Sequence, residues 1–139
     1  MRGLGGSKRY VMPAGRYFIG DPCYVQGNVE WDGINDARWP STDPAECVDL
    51  LTVDRGRGPH MMYMGHTAYG DGVFIDDEGN EYPVDSGQIG ATPMELVSDD
   101  AGVENGQVVE FKHAWSAEWS AGVFNFGDEV RIDTRGENI

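Results

Sequence analysis

At 139 residues the chain suits one domain with a core of its own, and 40% hydrophobic against 24% charged residues excludes a disordered chain. A formal net charge of −14 excludes a body that holds nucleic acid or an anionic membrane by charge. No apolar run approaches the roughly 20 residues of a bilayer-spanning helix, and no apolar stretch of a secretory signal follows the basic start.

The charge is unevenly placed. Residues 1–20 hold Arg2, Lys8, Arg9 and Arg16 and no acid, so the remaining 119 carry 6 basic and 24 acidic residues. Such a body attracts cations, basic proteins or the basic arm of another copy. Only two lysines stand against fourteen Asp, a balance that also suits solvation in high salt. Cys23 and Cys47, without a secretory signal, read as reduced thiols of a cytoplasmic protein.

In chain order, residues 1–9 form a basic, Gly-rich arm, 10–135 one β-rich domain, and 136–139 a tail. Tyr10 to Val25 predicts two short strands around Pro13-Ala14-Gly15. Gln26 to Thr42 reads as a loop with one helical turn. Asp43-Pro44-Ala45-Glu46 has the cap, proline and glutamate of a helix start, predicting a helix to about Thr52 that buries Cys47, Val48 and Leu51. Met61 to Met64 is a strand. Val73-Phe74-Ile75 and Glu81-Tyr82-Pro83-Val84 flank the turn Asp76 to Asn80. Thr92-Pro93-Met94-Glu95 opens a second short helix. Gln107 to Trp119 and Val123 to Asp133 form a long hairpin turning near Ser120-Ala121-Gly122. The sum is a mainly β fold: a single antiparallel domain, sandwich or partly open barrel, with one or two short helices.

Gly20-Asp21, Gly70-Asp71 and Gly127-Asp128 each begin a similar stretch, read as a Gly-Asp turn entering a strand. The acids from Asp71 to Asp85 do not have the alternate spacing of a calcium loop, and two Cys and three His show no zinc pairing. A thiol nucleophile would need Cys23, a base such as His66, and Asp71 or Asp85 to orient it; a small Cys entering a strand more often packs as core. His66 to Gly72 is the densest polar, aromatic and glycine stretch, a binding loop or a tight turn. Trp115 and Trp119 share a strand face with Ala117, as core or as an interaction patch.

Gly15-Arg-Tyr-Phe-Ile-Gly-Asp-Pro-Cys-Tyr-Val25, Thr67 to Phe74, Gly79 to Gly90 and Gly122 to Gly127 together resemble a family of small bacterial and phage proteins marked by a Gly-Asp-Pro-Cys-Tyr segment. The resemblance spans about residues 15–134. It implies a phage or bacterial cytosolic setting and one β-rich domain, with a virion only for an assembly protein, and it brings no activity. With it comes the expectation that Asp21, Cys23, Tyr24, Tyr69, Asp71 and Asp85 sit together, with Asp21, Tyr24, His66, Tyr69, Asp71 and Asp85 as ligand- or partner-binding residues.

The function expected first is a non-enzymatic accessory factor that binds a protein partner or a small ligand through an acidic, aromatic and Gly-rich surface; acidic mimicry of nucleic acid is one form of it. The alternatives are an assembly protein that self-associates through its basic arm, and a cysteine enzyme using Cys23, His66 and Asp85. No metal or cofactor is expected.

Overall fold

The computed structural model describes residues 7–43 and 47–136. Its elements in chain order are β1 (Ser7–Met12), β2 (Gly15–Gly20), α1 (Asn28–Arg38), β3 (Leu50–Asp54), β4 (Pro59–His66), β5 (Gly72–Ile75), β6 (Glu81–Val84), β7 (Gln88–Pro93), β8 (Gln107–Phe111), β9 (Trp115–Ser120), β10 (Val123–Phe126) and β11 (Val130–Asp133). Short 3-10 turns occupy Pro22–Val25, Met94–Leu96 and Asp100–Asn105.

The strands form a four-stranded sheet β1-β9-β10-β11, a five-stranded sheet β3-β4-β7-β2-β8, and the hairpin β5-β6, all antiparallel. The fold is mainly β, as its sequence predicts. Successive strand residues face opposite sides, and β4 shows what each side meets. Tyr63 enters the main core with Tyr17 and Ile19 of β2, Phe124 and Phe126 of β10, and Phe74 and Tyr82 of the hairpin. Met62 and Met64 face the other way, into a second cluster with Ile34 of α1, Leu51 and Leu96. The order is therefore helix, five-stranded sheet, core, four-stranded sheet.

Helix α1 corrects the expected loop over Gln26 to Thr42. Its sequence is polar with Gly33 in its middle, a poor intrinsic helix former. Ile34 and Arg38 are buried and Trp31 packs on the second cluster, so docking supplies what propensity does not. Glu30 in the first turn and Arg38 in the last also suit the helix dipole. Conversely, the helix expected to run to Thr52 is a strand there: Leu50–Asp54 pairs with Pro59–Tyr63. Pro44-Ala45-Glu46, the core of that capping signal, lies outside the described residues. Pairing with a neighbouring strand overrides a local cap.

Three further corrections concern connectivity. β1 and β2 do not pair; Pro13-Ala14 is a corner between sheets, β1 joining β9 and β2 joining β7 and β8. Cys23 to Val25 is a 3-10 turn, so the first Gly-Asp stretch leads to a turn whereas the other two enter β5 and β11. The long C-terminal hairpin is split: β9 and β10 pair around Ala121-Gly122, but β8 belongs to the other sheet. Residues 7–9 of the expected arm are the start of β1, with residues 1–6 outside the described residues.

The central strand β7 is buried throughout and has no alternation to reveal it. A Cβ on its Gly90 would collide with the Tyr63 carbonyl oxygen, so only glycine lets β4 and β7 meet there. Trp115 and Ala117 are core, with Trp119 packed against them.

Behind α1, the fully buried Arg38 donates through Nη1 to Asp49 Oδ1 at 2.9 Å, and to the Val48 and Met64 carbonyls. Lys8 of β1 donates to Asp49 Oδ2 at 2.7 Å, and Tyr10 at 3.2 Å. Burial alone would raise the Asp49 carboxyl, but its bonds from Lys8 and Arg38 hold it below the usual range. The cluster fixes the end of the helix to β1 and β4.

The acid-rich turn after β5 is built by Asp76. Its buried carboxylate accepts from the backbone N–H of Glu78 and Asn80 at 2.9 Å, from Asn80 Nδ2 at 3.1 Å and from Tyr82 Oη at 2.7 Å. Burial pushes its pKa up, yet these donors prevail and leave it lowered. The folded value is then below the unfolded one. This stabilisation is complete above the unfolded pKa of about 4 and is lost as pH falls through the folded value. Asp76→Ala is expected to cost about 2–4 kcal/mol and to flatten the acid limb of stability against pH. Urea unfolding between neutral and acid pH measures both.

Candidate functional site

Asp21 caps the Pro22–Val25 turn with a carboxylate that is fully buried. One oxygen accepts from Cys23 N–H at 3.0 Å and Ser86 Oγ at 2.7 Å; the other accepts from the N–H groups of Asp85 and Ser86, both at 2.7 Å. Four donors from two chain segments surround one charge, and Asp21 joins no ion pair among the described residues. The Gly-Asp-Pro-Cys-Tyr segment is thereby tied to the loop between β6 and β7.

That tie forms one wall of a cleft of about 530 Å3 lined by Cys23, Tyr24, Asn28, Trp31, Asn35, Trp39, His66, Asp85, Ser86 and Gln88. Helix α1 forms the opposite wall: Asn28, Trp31 and Asn35, with Trp39 just past its end, recur at three- and four-residue steps and so share one stripe. The floor is the outer face of the sheet, where His66 of β4 and Gln88 of β7 are directly paired. Trp39 is held between neighbours, its ring 5.2 Å from that of His66 and 5.4 Å from the Arg38 guanidinium.

Of the residues singled out from sequence, Cys23, Tyr24, His66 and Asp85 line this cleft. Asp21 lies behind it as a fastening, out of a ligand's reach. Asp71 abuts the same loop, its Oδ1 3.8 Å from where a Cβ on Gly87 would stand. Tyr69 is 66% exposed and lines none of the cleft. The stretch His66 to Gly72 is a tight turn, Thr67 Oγ1 donating to the Gly70 carbonyl and Ala68 N–H to Thr134 Oγ1. Trp31, Trp39, Asn28, Asn35 and Gln88 were missed; the helical spacing of the first four was the signal.

Electrostatics inside the cleft are one-signed. Burial raises the Cys23 thiol well above its ordinary range, and Asp21, Asp85 and Asp71 push it further. Tyr24 is raised by burial and by the same three carboxylates. His66 is lowered, first by packing against its ring and then by Arg38, although the residue stays open to solvent. This arrangement keeps a thiol protonated rather than activating it.

A larger groove of about 730 Å3 runs beside Phe111–Ser116 and Gly127–Glu129. Its rim mixes Arg9 and Lys112 with Glu110 and Glu118; Trp115 and Arg9 line it, but none of Asp21, Cys23, Tyr24, His66, Tyr69, Asp71 and Asp85 does. No group of three or more His, Cys, Asp or Glu among the described residues is placed to hold a metal ion. No helix among them is long and apolar enough to cross a membrane.

The fold and site define a β-rich domain with one acidic, aromatic cleft between a helix and the outer face of its larger sheet. Comparison of the chain with protein-family models, with curated proteins and with solved structures finds no match in any of the three.

A thiol raised in this way is expected to react slowly. Iodoacetamide at pH 8 is expected to label Cys23 at less than about a tenth of the rate of a free cysteine. Labelling followed by peptide mass spectrometry measures this, and a rate equal to free cysteine contradicts it.

Proposed function

We propose that this chain is a non-enzymatic binding protein, a bacterial or phage accessory factor working in the cytosol, that takes a small ligand or one side chain of a protein partner in the cleft beneath α1. The observation that carries this reading is the convergence there of four separated stretches, Cys23-Tyr24, the α1 stripe with Trp39, His66, and Asp85 to Gln88. Its volume falls within the roughly 300–1,000 Å3 of small-ligand sites. Indole and phenol rings beside amides and a carboxylate give it contact area with few polar orienting groups.

Two observations weigh on the alternatives. A protonated Cys23 with three carboxylates near it lacks the electropositive surroundings that make a thiol a nucleophile. In the basic arm, Lys8 pairs with Asp49 at 2.7 Å and Arg9 with Glu118 at 3.4 Å, so both charges already have partners within the chain.

Native mass spectrometry of the protein purified from the cells that make it tests the reading. A bound species is expected on the wild type and on Val108→Lys, far from the cleft, and lost on Asn35→Lys, which fills the cleft from an exposed helix position. No bound species, or the same one on all three, would overturn it.

A further inference from the structure

Gln88 is 2% exposed and its Oε1 has no hydrogen-bond partner. Its orientation is fixed by what lies beside it. Ser86 Oγ gives its proton to Asp21 and can only accept from its other neighbour, so the end of the amide facing it, at 3.4 Å, is the Nε2 donor. The acceptor end is left over. A buried carbonyl oxygen without a donor is costly, by an amount similar to a lost hydrogen bond, and such a group calls for an explanation.

The cleft that Gln88 lines is acidic and aromatic. Asp85 is exposed at its edge and its carboxylate bonds to no group among the described residues, while Asp21 and Asp71 lie close behind. Among the described residues no Lys or Arg lines it, and Arg38 is buried behind Trp39 and paired with Asp49. Tyr24 and Trp31 are each partly exposed and stack on no other ring among the described residues, though Trp31 also packs on the second cluster.

Resting on the binding role proposed above, we infer that the cleft's ligand is an organic cation carrying N–H donors, best matched by the guanidinium of an arginine side chain. A planar fork of donors can bridge Asp85 and the Gln88 amide once its covered oxygen turns toward the cleft, and its flat face suits indole and phenol rings. An ammonium on a compact head offers less ring contact, a quaternary ammonium brings no donor to Gln88, and a neutral polyol leaves Asp85 without a counter-charge.

Titration of the intact protein, followed by amide and indole NMR shifts, tests this with four probes: N-acetylarginine methylamide, butylguanidine, N-acetylcitrulline methylamide and tetramethylammonium. The two guanidines are expected to shift Gln88, Trp31 and Trp39 and to bind at least about tenfold tighter than neutral citrulline or donor-free tetramethylammonium. Asp85→Asn, at an exposed position, should weaken the guanidines about tenfold and leave citrulline unchanged. The arginine derivative binding tighter than butylguanidine marks a polypeptide source; equal affinities mark a free small cation.

Citrulline binding as tightly as arginine would overturn the cation assignment while leaving the cleft a binding site. No shift from any probe would overturn it too. The binding role then stands or falls on whether Asn35→Lys removes the species bound to the purified protein.

Discussion

The buried carboxylate of Asp21 is the constraint on which the cleft depends. A charge removed from water needs donors on all sides, and here they come from its own turn and from a loop more than sixty residues away in sequence. Satisfying it brings Cys23 and Tyr24 against Asp85 and Ser86 and sets the start of β7. The same geometry commits the Ser86 hydroxyl, which in turn orients Gln88. One desolvated charge thus determines the chemistry presented several bonds away.

A second desolvated charge does the corresponding work across the cleft. Arg38 anchors the end of a helix whose own sequence favours helix weakly, through Asp49, to β1 and β4. Trp39 follows directly and is seated on His66 and Arg38. The two walls are held by separate polar networks, while the floor between them is the paired strands β4 and β7. A site positioned on rigid elements in this way is preorganised, which lowers the cost of ordering it around a ligand.

The legible parts of the sequence were those where local chemistry and the final environment agree. The β5-β6 hairpin and the β9-β10 turn follow from short apolar runs around turn residues, and β4 from the apolar run Met61 to Met64. What was not legible is instead set by distant partners. β7 has small residues because β4 approaches it closely at Gly90, a fact that lies in Tyr63. α1 is polar because one face meets solvent and another meets the cleft, so its apolar stripe is thin. β3 carried a capping signal before it, and pairing with β4 decided its state.

Within the cleft, the Gly-Asp-Pro-Cys-Tyr segment, His66 and Asp85 stood out as residue types, but the role of each came from its surroundings. The sequence groups Asp21 with ligand-binding residues, whereas its buried carboxylate ties two chain segments together; it offers Cys23 as a nucleophile, whereas burial and three neighbouring carboxylates raise its thiol. The most direct measurement of the central claim is amide hydrogen exchange across the loop between β6 and β7. If Asp21 holds this loop, the N–H groups of Asp85 and Ser86, outside any strand ladder, exchange as slowly as those of β7 beside them. Exchange at the rate of an open loop would contradict the account.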